Sequence, residues 1–181
     1  YSGKSGYSGY SGAVGAGGTI GNWGSFWSNV DQTATVNTAT PVTVNNIDGN
    51  STGVSYSSGS HINFANAGTY NFQFSLQLHN TGGGGSGDVV NIWLRKNGTD
   101  VPDTDTRVTV NTNNPYLVAA WNFVLQLSAT DYLELIWLTN NANIVIEHEP
   151  AGTSPVTPAI PSAIITATQV MYTQSGYSGQ S

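Results

Sequence analysis

The chain has no cysteine, which excludes a disulfide framework and any thiolate metal site. The compartment is left open. Charge is also scarce: charged residues make up 8% of the 181, about a third of the usual globular share, and Asn, Thr, Ser and Gly keep the surface wet in their place. Only Lys4, Arg95, Lys96 and Arg107 are basic against a net charge of −6. Four scattered cations cannot neutralise a phosphate backbone, so nucleic acid is not an expected partner. No apolar run reaches membrane-spanning length, so membrane insertion is not expected. The first residue is a tyrosine inside a repeat, and no signal peptide can be read from it.

Proline is missing from the first 24 residues, yet glycine recurs there with strict period three, at Gly3, Gly6, Gly9, Gly12, Gly15, Gly18, Gly21 and Gly24. A collagen triple helix requires glycine at every third place because only a hydrogen fits at its axis. A flexible Gly/Ser linker has no need of such regularity, so the period favours the triple helix. Without proline the strands are not pre-set to the extended conformation. Such a rope is marginal unless something else holds three chains together. Fully helical, it would span roughly 75 Å. The glycine spacing returns at Gly176 and Gly179. The expected organisation is a collagen-like stalk over residues 1–24, a globular head over 25–173 and a return of the repeat over 174–181.

The head is organised around Tyr70–His79, where Tyr70, Phe72, Phe74, Leu76 and Leu78 alternate with Asn71, Gln73, Ser75, Gln77 and His79. Period two marks a half-buried strand. A short strand at Ile62–Phe64 feeds it through the turn Asn66-Ala67-Gly68, and the two are expected to form a hairpin-fed central pair. Further strands are expected at Gln32–Val36, Pro41–Asn45, Gly53–Ser57, Val89–Lys96, Thr106–Val110, Tyr116–Leu127, Tyr132–Leu138, Ile144–Ile146 and Ala163–Met171, with Gly152–Pro161 a loop. Asn97-Gly98 is the dipeptide best suited to a tight hairpin turn, and Ser128–Asp131 has hairpin length. Strands without helical periodicity indicate an all-β, ten-stranded antiparallel sandwich, with the jelly roll its favoured form.

Tyr116–Leu127 differs from its neighbours. Leu117, Ala119, Trp121, Phe123, Leu125 and Leu127 form one face, but Val118, Ala120 and Val124 leave the other apolar as well. The chain has little left to cover that second face, and a partner subunit is the economical answer.

Gly68-x-Tyr70-x-Phe72 within Phe64–Phe74, Trp93-Leu94-Arg95-Lys96-Asn97-Gly98, and Phe123-Val124-Leu125-Gln126-Leu127 with Asp131 resemble, in order and spacing, the trimeric jelly-roll heads of complement component C-one-q and tumour necrosis factor. The Tyr-Ser-Gly triplets, Gly24-Ser25-Phe26-Trp27 and Ser162–Gln169 resemble fibre or decoration proteins of tailed bacteriophages, cyanobacterial ones especially. The resemblance implies a homotrimer about a three-fold axis, with first and last strands side by side. It places Phe26, Trp27, Val118, Ala120, Val124, Ile165 and Met171 at the trimer interface. It also implies a structural virion protein on the exterior of the phage particle, contacting other virion proteins and a host-surface glycan. A secreted complement-like recognition module and a fibre-borne polysaccharide depolymerase are the alternatives.

No catalytic motif is visible, and an enzyme is not expected. Asp100, Asp103 and Asp105 gather three carboxylates in one loop, and calcium prefers such oxygen ligands. Their spacing is not that of an EF-hand, so a solvated loop is favoured over calcium and no cofactor is expected. His61, His79 and His148 are the only histidines, and nothing local around them suggests a hydrolase. Glu147 and Glu149 would share one strand face, where an ion-binding ring is the alternative to an exposed loop.

Overall fold

The computed structural model describes residues 21–82 and 87–170. Ten strands of three residues or more form the body: β1 Trp23–Ser28, β2 Val54–Ser57, β3 His61–Phe64, β4 Gly68–Asn80, β5 Asp88–Lys96, β6 Thr106–Val110, β7 Tyr116–Leu127, β8 Tyr132–Thr139, β9 Ile144–Ile146 and β10 Ala163–Gln169. Six two-residue strands add to them, at Gln32–Thr33, Thr40–Pro41, Asn46–Ile47, Thr99–Asp100, Gly152–Thr153 and Val156–Thr157. The Thr/Val stretches expected as strands at 32–36 and 41–45 thus shrink to short pairings, although Val42 and Val44 are buried. The loop at 152–161 carries a tight two-strand ribbon.

Two antiparallel sheets face each other. In the first, β4 is central: β10 pairs with Tyr70–Leu76 and β9 with Leu78–Asn80 along one edge, while β7 runs along the other from Gly68 to His79. Beyond β10 lies β1. The second sheet runs in the order β6, β5, β8, β3, β2. Tyr70, Phe72, Phe74, Leu76 and Leu78 all turn inward and none is more than 5% exposed. They meet Ile92, Leu94, Leu133, Leu135 and Trp137 of the second sheet, also buried. This is the interior that the period-two pattern predicts.

Two expected hairpins are instead corners. β3 belongs to the second sheet and β4 to the first, so the 65–67 segment carries the chain across the sandwich. A hairpin would have left both apolar faces looking the same way. The corner sets Phe64 against Tyr70, ring centroids 4.7 Å apart at 66°, and Tyr70 Oη donates to the Asn66 carbonyl at 2.9 Å. Likewise β7 and β8 lie in different sheets. Asp131 fastens that crossing: its carboxylate accepts from Asn97 Nδ2 at 2.7 Å, the Ser128 N–H at 2.8 Å and Lys96 Nζ at 3.0 Å. The Asn97-Gly98 hairpin does form, with both residues at positive φ (50° and 81°), the geometry of a type I′ turn.

At the base, β1 and β10 run antiparallel side by side. Gln169 N–H donates to the Asn22 carbonyl at 2.8 Å, and Asn22 Nδ2 to Gln169 Oε1 at 2.6 Å, so the segments flanking the head leave it together. The stalk reading is corrected at its upper end. Gly24 is a buried residue of β1, paired with Ala167. Its glycine answers to packing, since a Cβ there would lie 2.5 Å from the Phe26 ring and 3.1 Å from Val54 Cβ. Gly21 lies just before β1. Gly3, Gly6, Gly9, Gly12, Gly15 and Gly18, and the returning repeat at Gly176 and Gly179, lie outside the described residues.

Gly24→Ala should therefore destabilise the head by about 1–3 kcal/mol, read by chemical denaturation; an unchanged midpoint would place Gly24 outside the core. The Asp131 carboxyl is held below the usual carboxylate range, chiefly by the Asn97 amide, with help from Ser128 N–H and Lys96 against the cost of burial. A carboxyl depressed in the folded state contributes stability fully above its unfolded pKa and loses it as pH falls through the folded one. Asp131→Asn should cost about 1–3 kcal/mol at neutral pH, and the gap from the parent should close as pH is lowered below about 4.

Candidate functional site

The outward face of the first sheet is built by alternation. β7 contributes Tyr116, Val118, Ala120, Asn122, Val124 and Gln126; opposite them on β4 stand His79, Gln77, Ser75, Gln73, Asn71 and Thr69. Register continues the rows across the sheet, one running Ala120, Ser75, Ile164, Trp27 and the next Asn122, Gln73, Thr166, Ser25. None of these positions is Asp, Glu, Lys or Arg. Of the described ion pairs, Lys96 with Asp131, Arg95 with Asp100 and His61 with Glu134 involve the second sheet or its connections, whereas His79 at the end of the outward row meets Glu147 at 2.8 Å. Away from that pair the first sheet offers water uncharged side chains, among which Val118 and Val124 are 56% and 61% exposed.

The expected interface set divides by parity. Val118, Ala120 and Val124 are exposed on that face, and Trp27 is half-buried on it. Phe26 and Ile165 point the other way, are 0% and 1% exposed, and belong to the core. Ile164, not Ile165, reaches the outward face; Ala163 and Ala167, small residues flanking Ile165 at the same parity, carried that signal. Met171 lies outside the described residues.

Trp121 shares the core parity of β7, yet it is 59% exposed. β7 is an edge strand with β4 as its partner, and β6, the facing edge of the second sheet, spans only Thr106–Val110. The sandwich gapes there. A groove of about 410 Å³ runs between the two edges, bounded by Asp105, Thr106, Arg107 and Val108 on one side and Ala119 and Trp121 on the other, and floored by Phe74.

A second concavity, about 440 Å³, lies on the outward face of the second sheet. Its floor is Trp93 of β5 and Leu138 of β8, with Asn91 opposite Leu138 in register. Val101, Asp103 and Asp105 form its wall. That wall is pinned from below: buried Thr104 donates to the Val101 carbonyl at 2.8 Å and accepts from the Leu94 N–H at 3.1 Å. The three carboxylates do not converge into a cation cage. Asp100 Oδ1 accepts from Trp93 Nε1 at 2.9 Å and Arg95 Nε at 2.8 Å, which holds its carboxyl below the usual range, Trp93 being the larger cause. Asp105 Oδ2 accepts from Asn91 Nδ2 at 2.7 Å. Among the described residues no group of three or more His, Asp or Glu is placed to hold a metal. Glu147 is engaged by His79 Nδ1 at 2.8 Å, and the His148 N–H donates to Asp31 at 2.7 Å.

Among the described residues the histidines build no nucleophile relay. Ser60 Oγ bonds Glu134 Oε1 at 2.9 Å, and His61 Nε2 stands 3.5 Å from the same oxygen. Serine is therefore tied to the carboxylate, not to the imidazole that would have to take its proton. His61 is stacked on Tyr132 with centroids 4.0 Å apart, and His79 on Tyr116 at 4.2 Å.

No protein-family model and no curated protein matches the sequence. Solved structures do. The Eiger TNF of S. frugiperda superposes with a TM-score of 0.56 at 11% identity, covering 90% of this chain and 100% of its own. The globular domain of the zebrafish complement 1qA protein gives 0.52 at 16% identity, covering 84% and 99%. At such identities the likeness is one of backbone, and the head has the jelly-roll fold of TNF and C1q globular domains.

Proposed function

We propose that this chain is a homotrimeric display module of a bacteriophage virion, a jelly-roll head that clamps a collagen-like stalk in register and presents its outer sheets to the host surface. The observation that carries the trimer is the neutral first-sheet face bordered by the edge strand β7, with Tyr116, Val118, Trp121 and Val124 56–61% exposed. A symmetric assembly brings like groups close around its axis, and a face whose rows hold no Asp, Glu, Lys or Arg, with Glu147 at its end paired to His79, brings few like charges together. Exposed apolar side chains along a free edge are a liability for an isolated chain and an asset for one with a fixed partner.

Three heads held together convert association of the stalk strands into a local event, which offsets the missing proline. Asn22 and Gln169, near the two ends of the described head, lie side by side, which suits a stalk joined to a trimer. The virion setting rests on the proline-free Tyr-Ser-Gly triplets and their resemblance to phage fibre and decoration proteins. The complement-like recognition module draws on the 1qA likeness; the proline-free repeat favours the virion.

In solution the full chain should sediment at three times its 19.0 kDa mass, and the assembly should depend little on salt because Val118, Ala120 and Val124, the side chains proposed to meet, are uncharged. Val118→Glu with Val124→Glu should give a folded monomer with unchanged far-ultraviolet circular dichroism. A parent protein that sediments as a 19.0 kDa monomer would refute the trimer.

A further inference from the structure

We infer that the concavity on the second sheet binds a neutral pyranose through the Trp93 side chain and the Asp105 and Asp100 carboxylates. The inference names the site of the surface contact in the display reading, and rests on that reading only for the source of the sugar.

A pyranose is two-faced: its ring C–H groups are apolar, and its rim carries hydroxyls that each donate one hydrogen bond. The pocket has the complementary pattern. Trp93 and Leu138 supply a half-buried apolar floor, and the wall supplies acceptors. Its volume of about 440 Å³ lies within the range of small-molecule sites.

The acceptors are held in place before any ligand arrives. Trp93 Nε1 and Arg95 Nε grip one oxygen of Asp100, and Asn91 Nδ2 grips one oxygen of Asp105. Each carboxylate then keeps its second oxygen for a ligand. The Trp93–Asp100 bond also fixes the plane of the indole, and Thr104 fixes the wall. Groups locked by supporting hydrogen bonds lose little freedom on binding.

Other ligands fit less well. Calcium asks for six to eight converging oxygens, and the carboxylates do not converge. An alkylammonium is best held by a cage of aromatic faces; here one ring is present and Arg95 balances Asp100, while Asp103 and Asp105 have no cationic partner among the described ion pairs, so butylamine is the competing ligand in the test. Trp93 and Leu138 of the pocket lie on the sheet opposite the exposed valines, while Asp105 also borders the groove beside β7.

The test is saturation-transfer NMR on the full-length protein with the methyl glycosides of glucose, galactose, mannose and N-acetylglucosamine, and with butylamine and calcium chloride titrated separately. At least one glycoside should show transfer concentrated on the C–H protons of one ring face. Trp93→Ala should abolish it. Asp105→Asn, which keeps the shape and removes one acceptor, should weaken it roughly tenfold, and serves alone should Trp93→Ala fail to fold. The inference is overturned if none of the four glycosides shows transfer, if transfer survives Asp105→Asn undiminished, or if only butylamine or calcium binds. Such a failure would leave the sedimentation mass untouched, so it is distinct from failure of the trimer.

Discussion

Every part of the head depends on β4 having both edges and one face occupied. Its inward aromatics and leucines exclude water from the sandwich, and at roughly 1.5–3 kcal/mol for each large apolar side chain the row Tyr70 to Leu78 is a major source of stability. Its backbone is consumed by β7 on one side and by β10 and β9 on the other. The outward row of β4 is then free to be polar, and it is: Asn71, Gln73, Ser75 and Gln77 carry no charge. Stability and surface chemistry are thus written on alternate residues of one strand.

The same alternation explains the division of labour between the sheets. The first sheet holds no Asp, Glu, Lys or Arg in its outward rows, with Glu147 paired to His79 at one end, and exposes valines at its edge. The second sheet carries Arg95, Asp100 and Asp105 on its outer side, where short hydrogen bonds fix the carboxylates of Asp100 and Asp105 beside the concavity. A neutral, partly apolar face suits another copy of the same chain. A polar pocket with an aromatic floor suits a small hydroxylated ligand. The floor of the pocket and the exposed valines lie on opposite sheets, while Asp105 borders both the pocket and the groove beside β7.

Much of this was legible in the sequence. Strand positions followed from period two, and the solved jelly rolls of TNF and 1qA bear out the fold read from Gly68-x-Tyr70-x-Phe72. The exposed valines of β7 followed from a strand apolar on both faces. Connectivity was harder: three residues after Phe64 and four after Leu127 suit a hairpin as well as a corner, and only the packing of Phe64 on Tyr70 and the grip of Asp131 decide. Gly24 fell on the triplet period by coincidence with a packing need. Phe26 and Ile165 were misplaced by a single step of phase, which in a strand reverses the face. The pocket was hidden because Trp93 and Leu138 come from different strands and meet only through register.

Since the chain lacks cysteine, a single thiol can be placed on the exposed edge without ambiguity. Val124→Cys carrying a nitroxide, studied by pulsed dipolar spectroscopy, tests the closure of three copies on the neutral face most directly. Strong coupling between labels on different copies, with a three-spin contribution, is the predicted result. Labels that show no intermolecular coupling and tumble as freely as on a solvated strand would contradict it.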